Sequence, residues 1–283
     1  MHIDAILSRI KQRICTPIDS SWAQKGILFE GITGAVLCQA AMDGTERGSR
    51  LRQLHLEFVR PVLPAEPYII SEECIAQGSA HTSKEMRLIQ GGKVRVTARA
   101  GFFGHQPPAF VMQSFSSPSL GERPDGQPLR RLVEAEFLEH FDYQVIDLDR
   151  RGETAATPTL AGWMRFKHPP KVLTEAHLVA MIDAWPPLVQ ALPDTSGALR
   201  TLNWSFHFFE RMDLVCPNAP LGYRAQLGFG TQDVSVSTTE VWTREGTPLA
   251  RSFQTNAIVS EGQTDCLPIN SQPENSASIS RFA

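Results

Sequence analysis

The sequence predicts an α+β fold in which two tandem copies of one small domain each wrap a curved antiparallel β-sheet around a central helix. The first observation is an internal repeat: QLHLEFVRP and KVRVTARAGFFG in the first half correspond to TLNWSFHFF and TPLARSFQTNAIV in the second. The second is a long apolar segment of helical character ahead of each copy, EGITGAVLCQAAM and then TEAHLVAMIDAW. A repeat of roughly a hundred residues is far longer than a solenoid period, so it indicates two fused domains.

Alternating apolar residues predict the strands within each copy. Leu54, Leu56 and Phe58 recur at every second position, the period of a half-buried strand. In the second copy the same period places Leu202, Trp204, Phe206 and Phe208 on one face and Thr201, Asn203, Ser205 and His207 on the other. Gly-Gly at 91–92 and Glu-Gly at 245–246 are predicted hairpin turns. One helix followed by meandering strands, twice over, favours the α+β unit.

Composition along the chain predicts four parts. These are an N-terminal copy at 1–106, a linker at 107–131, a C-terminal copy at 132–260 and a flexible tail at 261–283. The linker is rich in proline, serine and glycine and has no sustained periodicity. The tail lacks an apolar repeat.

Overall composition bounds the class of protein. The 283 residues are 42% hydrophobic, enough for two domains with a sizeable core. A net charge of -3 gives no electrostatic reason to expect a nucleic-acid partner. The eight histidines have no paired ligand spacing, so we predict no metal and no cofactor.

The cysteines and the N-terminus predict a cytoplasmic protein. Five scattered cysteines without a CxxC pair indicate reduced thiols rather than a disulfide framework or a zinc site; they are Cys15, Cys38, Cys74, Cys216 and Cys266. Charged residues Asp4, Arg9 and Lys11 interrupt the N-terminal segment, which argues against a secretory signal. No run reaches the roughly 18 apolar residues of a membrane span, so no membrane partner is predicted.

Four segments in order carry a resemblance to a known family: FVRP, HLVAMIDAWPP, TLNWSFHF and GTPLARSFQ. From about Ile14 to Val259 the sequence resembles the thioesterase superfamily, and specifically the double-hotdog acyl-coenzyme A thioesterase II-like proteins. The resemblance implies a double hotdog fold and hydrolysis of acyl-CoA thioesters. It also implies a catalytic group made of Asp183 on the second helix, Thr201 at the start of the next long strand and Gln254 on the last strand. The family strand often has Asp-His where this chain has Asn203 and Trp204, a departure that bears on substrate preference.

The residues around Asp183 support a catalytic role independently. The first-copy helix carries no carboxylate between Glu30 and Asp43, whereas Asp183 lies among apolar residues. A carboxylate in such a setting is costly unless it is hydrogen-bonded or useful. Pro186 disfavours helix at the residue before it, so Asp183 should lie in or beside the last turn, where the helix dipole opposes negative charge. Burial and the dipole would both raise its pKa and make it a better general base near neutral pH.

Thioester hydrolysis needs a positioned water, a base and donors for the developing oxyanion. We predict that Asp183 takes the proton, that Thr201 orients Asp183 or the water, and that Gln254 holds the water. Substrate binding is predicted at Gly31 and Gly34, which open the first-copy helix and let a carbonyl approach its N–H groups, and at Trp185 in the acyl pocket. Direct attack by Asp183 to form an anhydride is the rival mechanism.

Simpler interpretations stand beside these. Asp183 could be a structural carboxylate, Thr201 an ordinary strand residue, and Gln254 part of a solvated strand face shared with Ala250, Ser252 and Asn256. The two glycines could serve helix packing alone, and Trp185, Trp204 and Phe206 could be core residues.

Three functions therefore remain: an acyl-CoA thioesterase of lipid metabolism, a non-catalytic binder of acyl thioesters, and a hotdog hydratase or dehydratase. In hotdog families, the resemblance associates hydratase chemistry with an Asp followed five residues later by a His. Here the residue five after Asp183 is Leu188, which weighs against the hydratase or dehydratase. No GxSxG motif is present, which excludes the usual serine thioesterase. The predicted partner is an acyl-CoA or another acyl thioester, and a homodimer through sheet edges is left open.

Overall fold

A computed structural model of the chain describes residues 1–11, 16–46, 48–104, 135–149, 157–186, 188, 198–231 and 233–259. The predicted linker and the predicted tail lie outside these residues, as do Cys15 and Cys266. Within the described ranges, no helix has the length and apolar character needed to cross a membrane.

The helices and strands of the described residues follow the predicted order twice. The helices are α1 (Ile3–Lys11), α2 (Glu30–Met42) and α3 (Glu175–Asp183). The strands of the first half are β1 (Ala23–Gln24), β2 (Ile27–Leu28), β3 (Arg50–Phe58), β4 (Ile69–Gln77), β5 (His81–Gln90) and β6 (Lys93–Phe103). Those of the second half are β7 (Phe141–Asp149), β8 (Thr159–Phe166), β9 (Ala198–Phe208), β10 (Leu221–Gly230), β11 (Val234–Trp242) and β12 (Pro248–Val259).

Ten strands form one continuous antiparallel sheet in the order β4-β5-β6-β3-β9-β12-β11-β10-β8-β7, and β1 pairs with β2 separately. The first half has the order 4-5-6-3, and the second repeats it as 10-11-12-9 with β8 and β7 added at the outer edge. The two halves meet where β3 pairs with its counterpart β9, with Leu54 opposite Phe206. This order confirms the predicted α+β fold and joins the two sheets edge to edge.

Helices α2 and α3 pack against each other and against the sheet. Every residue of α2 from Gly31 to Ala41 is buried, which is typical of a helix that is apolar all round. Helix α1 packs on α2 and buries Ile3, Ile6, Leu7 and Ile10 in the same core. The apolar segments that predicted two central helices therefore lie at the centre of the molecule.

Both predicted hairpin turns are present. Gly91 and Gly92 join β5 to β6 with φ values of 59° and 72°, the left-handed backbone that a tight two-residue turn requires. Gly246, with φ of 90°, lies in the turn between β11 and β12.

A β-bulge near the start of β9 reverses the predicted side-chain faces there. Asn256 pairs with Thr201 and Thr255 pairs with Asn203, so Leu202 is the extra residue of the bulge. As a result Thr201 is buried at 4% exposure and Leu202 is 38% exposed. The prediction that Leu202 shares the buried face and Thr201 the opposite one was wrong. A strict period of two gives no sign of an extra residue in the strand.

The same irregularity occurs in the first half. On β3, Leu51 pairs with Phe102 and Gln53 with Gly101, which leaves Arg52 as the extra residue. Leu51 is therefore the structural counterpart of Thr201. The correct repeat alignment sets LRQLHLEF against TLNWSFHF, two residues away from the match made on sequence alone.

Candidate active site

Asp183 is the last residue of α3, as predicted from Pro186. The helix begins after Thr174, whose backbone N–H donates to Nδ1 of His177 at 3.2 Å in a capping box. The end of the helix is also encoded locally, since α3 stops just before the Trp-Pro pair. The carboxylate of Asp183 is therefore held at the C-terminal end of a buried helix, partly buried itself.

The structure brings Asp183, Thr201 and Gln254 together. Gln254, on β12, donates from Nε2 to Oδ1 of Asp183 at 3.3 Å and to Oγ1 of Thr201 at 3.2 Å. Thr201 reaches this point because the bulge turns it inward from β9. One amide group thus bridges the other two side chains.

Two further polar side chains complete the cluster, and the sequence reasoning missed both. Glu30, the first residue of α2, accepts a hydrogen bond from Oγ1 of Thr201 through Oε2. Asn256 is 2% exposed, and its Oδ1 lies 3.0 Å from the same hydroxyl. An acid in a first helical turn is ordinary, so Glu30 gave no distinctive signal. Asn256 was visible only as a member of the strand face that carries Gln254.

That strand face is buried rather than solvated. Ala250 and Ser252 are 0% and 1% exposed, and they precede Gln254 on the inner side of β12. The interpretation of this polar run as a solvated surface was therefore wrong. Polar side chains in such a position need partners or a function.

The two carboxylates of the cluster influence each other. Burial raises the pKa of Asp183 well above its usual range, and the negative charge of Glu30 raises it further. Burial also raises the pKa of Glu30, against the opposing effects of the Thr201 hydrogen bond and the positive charge of Arg200. The site thus favours retention of at least one proton, since two carboxylates this close resist joint ionisation.

Gly31 allows the two helix ends to approach closely. A Cβ atom on Gly31 would lie 2.6 Å from the Phe29 ring and 2.9 Å from Cβ of Asp183. The backbone N–H of Gly31 donates to the Asp183 carboxylate, which lowers the pKa of that carboxyl in partial opposition to burial. The donor predicted for an oxyanion therefore donates to the Asp183 carboxylate.

Gly34 lies one turn further along α2, in the interface between the helices and the sheet. A Cβ there would lie 2.8 Å from Cδ1 of Leu56 and 3.0 Å from Cγ1 of Val179. This geometry gives Gly34 a packing role, as in the simpler interpretation, and its contact to substrate stays a prediction.

Trp185 closes the space beside Asp183. Its indole is 4% exposed, stacks on Tyr223 at a centroid distance of 4.4 Å, and donates from Nε1 to Sδ of Met164 at 2.8 Å. A cavity of about 10 Å³ remains next to this stack, with Asp183 and Gln254 in its wall. The remaining wall is formed by Ile182, Trp185, Pro186, Leu188, Trp204, Tyr223, Ala225, Ser237 and Thr239.

The other end of the helix pair holds the structural counterpart of this cluster, with different side chains at the positions of Asp183, Thr201 and Asn256. Helix α3 begins with Glu175 as α2 begins with Glu30, but Cys38 stands at the counterpart of Asp183. Glu175 and Cys38 lie close together, as Glu30 and Asp183 do. The charge of Glu175 raises the pKa of Cys38 in addition to the effect of burial. Leu51 and Phe102 replace Thr201 and Asn256, and they line a cavity of about 570 Å³.

No group of three or more histidine, cysteine, aspartate or glutamate side chains in the described part of the chain is arranged to hold a metal ion.

Comparison with known proteins agrees with this architecture. The acyl-CoA thioesterase N-terminal domain family matches residues 18–103, and the acyl-CoA thioesterase C-terminal domain family matches residues 116–258. No curated protein sequence matches the chain.

Several solved structures are similar in fold. A conserved protein of unknown function with a hot dog fold from Alicyclobacillus acidocaldarius has a TM-score of 0.75 and 20% identity, over 86% of this chain and 92% of its own. Acyl-CoA thioesterase II TesB2 from Mycobacterium marinum has a TM-score of 0.67 and 17% identity, over 84% and 93%. The tesB protein of Mycobacterium avium subspecies paratuberculosis has a TM-score of 0.68 and 17% identity, over 91% and 99%.

These structures show that the fold is a double hotdog. The family matches cover both halves of the chain, including the strands and helices that hold the cluster. The chain therefore belongs to the acyl-CoA thioesterase family and is a thioester hydrolase.

Proposed function

We propose that this thioesterase hydrolyses acyl-CoA with Asp183 as the general base for an attacking water. The observation that carries the proposal is the amide of Gln254, which lies 3.3 Å from Asp183 and 3.2 Å from Thr201. The three residues come from three different elements, and each was predicted to act in the same step. Such a convergence of a base and two polar groups is what water activation requires.

The cavity beside the cluster fits the nucleophile. Its volume of about 10 Å³ is close to the roughly 10–15 Å³ that one water needs. Asp183 and Gln254 both line it, so a water there would have an acceptor for its proton and, when Gln254 releases one of its two donated bonds, an N–H to hold its oxygen.

In the proposed reaction, Asp183 removes a proton from this water as the water oxygen attacks the thioester carbon. The oxyanion is stabilised by backbone N–H groups at the start of α2, where the helix dipole favours negative charge. As Asp183 becomes neutral, the backbone N–H of Gly31 would change its hydrogen-bond acceptor from Asp183 to the oxyanion. The carbon–sulfur bond then breaks, and the proton leaves Asp183 for the thiolate of coenzyme A.

We assign the acyl group to the short end of the range of chain lengths. The stack of Trp185 on Tyr223 closes the space beyond the cluster, and both aromatic side chains are buried. A long aliphatic chain would have to displace this stack, whereas a short acyl group needs a smaller adjustment. Trp185 is thus proposed as the substrate-binding residue that limits acyl length.

The first test is thiol release from acyl-CoAs of short, medium and long chain and from an aromatic acyl-CoA. We expect the highest kcat/KM for short chains and a fall of about 10²- to 10⁴-fold for Asp183→Asn, the range expected for loss of a general base. Asp43→Asn is the matched control, because Asp43 caps the corresponding end of α2. Its activity should equal that of the wild type.

Unchanged turnover in a folded Asp183→Asn variant would overturn the proposal. The rival anhydride mechanism makes a separate prediction: acid quench during turnover would leave an acyl mass on the peptide that contains Asp183. Absence of this adduct, together with loss of activity in Asp183→Asn, supports the water mechanism.

We further propose a cytoplasmic location and a role in lipid metabolism. The three cysteines in the described residues are free, and two of them, Cys74 and Cys216, are exposed, as suits a reducing compartment. Cell fractionation would test the location.

A homodimer is proposed through β4, the edge strand of the first half. This strand exposes Ile69 and Ile75 at 61% and 48%. The strand also carries Glu72 and Glu73, so its open backbone edge and these two isoleucines are what would pair with a second chain. A single monomeric species in sedimentation at micromolar concentration would contradict the dimer.

A further inference from the structure

The two central helices both begin with glutamate, but only one of these residues faces a second carboxylate. Glu30 opens α2 beside Asp183, whereas Glu175 opens α3 beside the thiol of Cys38. The catalytic end of the molecule is therefore distinguished by a pair of acids contributed by the two halves. This asymmetry needs an explanation, because a second buried carboxylate is costly to stability.

The hydrogen bonds around Thr201 can accommodate a proton on Glu30. The Thr201 hydroxyl has one proton and accepts from Gln254, and it lies beside both Oε2 of Glu30 and Oδ1 of Asn256. If that proton points to Asn256, the Glu30 contact requires a proton on Glu30. If Glu30 is ionised, Thr201 donates to it and the Asn256 amide turns its NH₂ group toward the hydroxyl. The same contacts therefore persist in both protonation states.

The titratable groups of this site and Thr201 come from four elements besides α2, namely α3, β9, β7 and β10. Asp183 lies on α3, Arg200 and Thr201 lie on β9, and the hydroxyls of Tyr143 and Tyr223 lie near Asp183. Arg200 is the cation whose charge acts on Glu30, and it favours the ionised form of that residue. Glu30 is the carboxylate whose charge acts on Asp183, and it favours the protonated form there. In the half-ionised pair the proton therefore lies on Asp183, so Asp183 acts as a base only above the pH at which this proton is lost.

We propose that Glu30 is a positioning residue that forms a proton-sharing pair with Asp183, strengthening it as a base and fixing Thr201 by a hydrogen bond. The inference rests on the proposed function, in which Asp183 accepts the proton of water. Glu30 contributes no atom to the reaction. Its negative charge makes Asp183 hold the proton of water more firmly as the thioester is attacked, and its hydrogen bond keeps the Thr201 hydroxyl beside Gln254.

The test is the pH dependence of kcat/KM for Glu30→Gln, with Glu175→Gln as the matched control at the other end of the helix pair. Removal of the Glu30 charge lowers the pKa of Asp183, so the acidic limb of the profile should move to lower pH by roughly one unit or more. The plateau rate should fall, because a weaker base removes the proton less effectively. Glu175→Gln should keep the wild-type profile.

Glu30→Asp separates charge from reach. It retains the negative charge but is one methylene too short for the Thr201 contact, so we expect the wild-type acidic limb with a reduced plateau. An acidic limb that stays in place in Glu30→Gln, or that moves equally in Glu175→Gln, overturns the inference. If Glu30→Gln does not fold, an acidic limb that moves in Glu30→Asp overturns the inference.

Failure of the proposed function is recognisable separately. If Asp183→Asn retains full turnover, then Asp183 is not the base and the pair has no catalytic meaning, whatever the profile of the Glu30 variants. If Asp183→Asn is inactive and Glu30→Gln has an unshifted profile, only the inference about Glu30 is wrong.

Discussion

At the scale of single residues, the candidate site places its proposed base at an unfavourable position. Asp183 lies at the C-terminal end of a helix, where the dipole opposes negative charge, and burial adds to that cost. Glu30 lies at the favourable N-terminal end of its helix, yet burial raises its pKa as well. Ionisation of Asp183 is therefore a source of both basicity and instability.

This cost predicts that Asp183→Asn stabilises the fold at high pH. Because the folded-state pKa of Asp183 is raised, its contribution to stability is fully present below the pKa of the unfolded chain and is lost as pH rises through the folded value. Asparagine does not titrate, so the variant does not lose this stability as the pH rises. We expect Asp183→Asn to melt above the wild type at pH 8, by about 2–4 °C for each kcal/mol, and close to it at pH 4.

Thermal unfolding by circular dichroism at the two pH values checks this. Asp43→Asn at the end of α2 serves again as the control for an acid-to-amide change at a helix end. A lower melting temperature for Asp183→Asn at pH 8 would mean that the hydrogen bonds from Gly31 and Gln254 outweigh the cost of burying the charge.

The residues of the site were predictable to different degrees. Asp183 was predictable because an acid in an apolar helix before Trp-Pro is chemically conspicuous. Thr201 and Gln254 came only from the family resemblance, since neither residue type is unusual in a strand. Glu30 was not predictable, because its role depends on Asp183 and Thr201 approaching from the other half, and nothing local records that approach.

At the scale of elements, the contact between the start of α2 and the end of α3 sets the geometry of the site. Gly31 is the residue that permits it, because any side chain there would meet the Phe29 ring and Asp183. The ring has little freedom to yield, since it is 5% exposed and stacks on Phe137 at 4.0 Å.

Gly31→Ala should therefore push the two helix ends apart. We expect a loss of about 1–3 kcal/mol in the free energy of unfolding, typical of overpacking, and a fall in kcat/KM of at least about tenfold as Asp183 shifts from Gln254. The measurements are denaturant unfolding and thiol release. Gly228→Ala is the control, because a Cβ there has only Val236 O nearby, at 3.8 Å. Wild-type kcat/KM in Gly31→Ala would show that the approach is unimportant for catalysis.

The elements themselves were largely predictable, but the bulge in β9 was not. Helices, alternating strands and glycine turns each carry a local pattern of hydrophobicity or backbone freedom. A bulge inserts one residue into one strand, and Leu202 looks like any other apolar strand position. The face occupied by Thr201 was therefore predicted wrongly at the position where the fold turns a strand residue into a site residue.

At the scale of the whole molecule, one continuous sheet unites the two halves, and each contributes part of the site. The first half supplies Glu30 and Gly31, and the second supplies Asp183, Thr201 and Gln254. The duplication was predictable from the repeated motifs. The edge-to-edge pairing of β3 with β9 was not, because both strands look alike and either could have formed an outer edge.

The divergence of the two halves predicts a single catalytic site per chain. The counterpart cavity retains Glu175 and about 570 Å³ of space, but Cys38 and Leu51 supply neither a base nor a hydroxyl to orient water. A non-hydrolysable thioether analogue of a short acyl-CoA should therefore bind in calorimetry with a stoichiometry of one per chain, and Glu175→Gln should leave that value at one. Any turnover that remains in Asp183→Asn should stay unchanged when Glu175→Gln is added to it. Two bound analogues per chain, or residual turnover abolished by Glu175→Gln, would mean that the first half has kept a working site of its own.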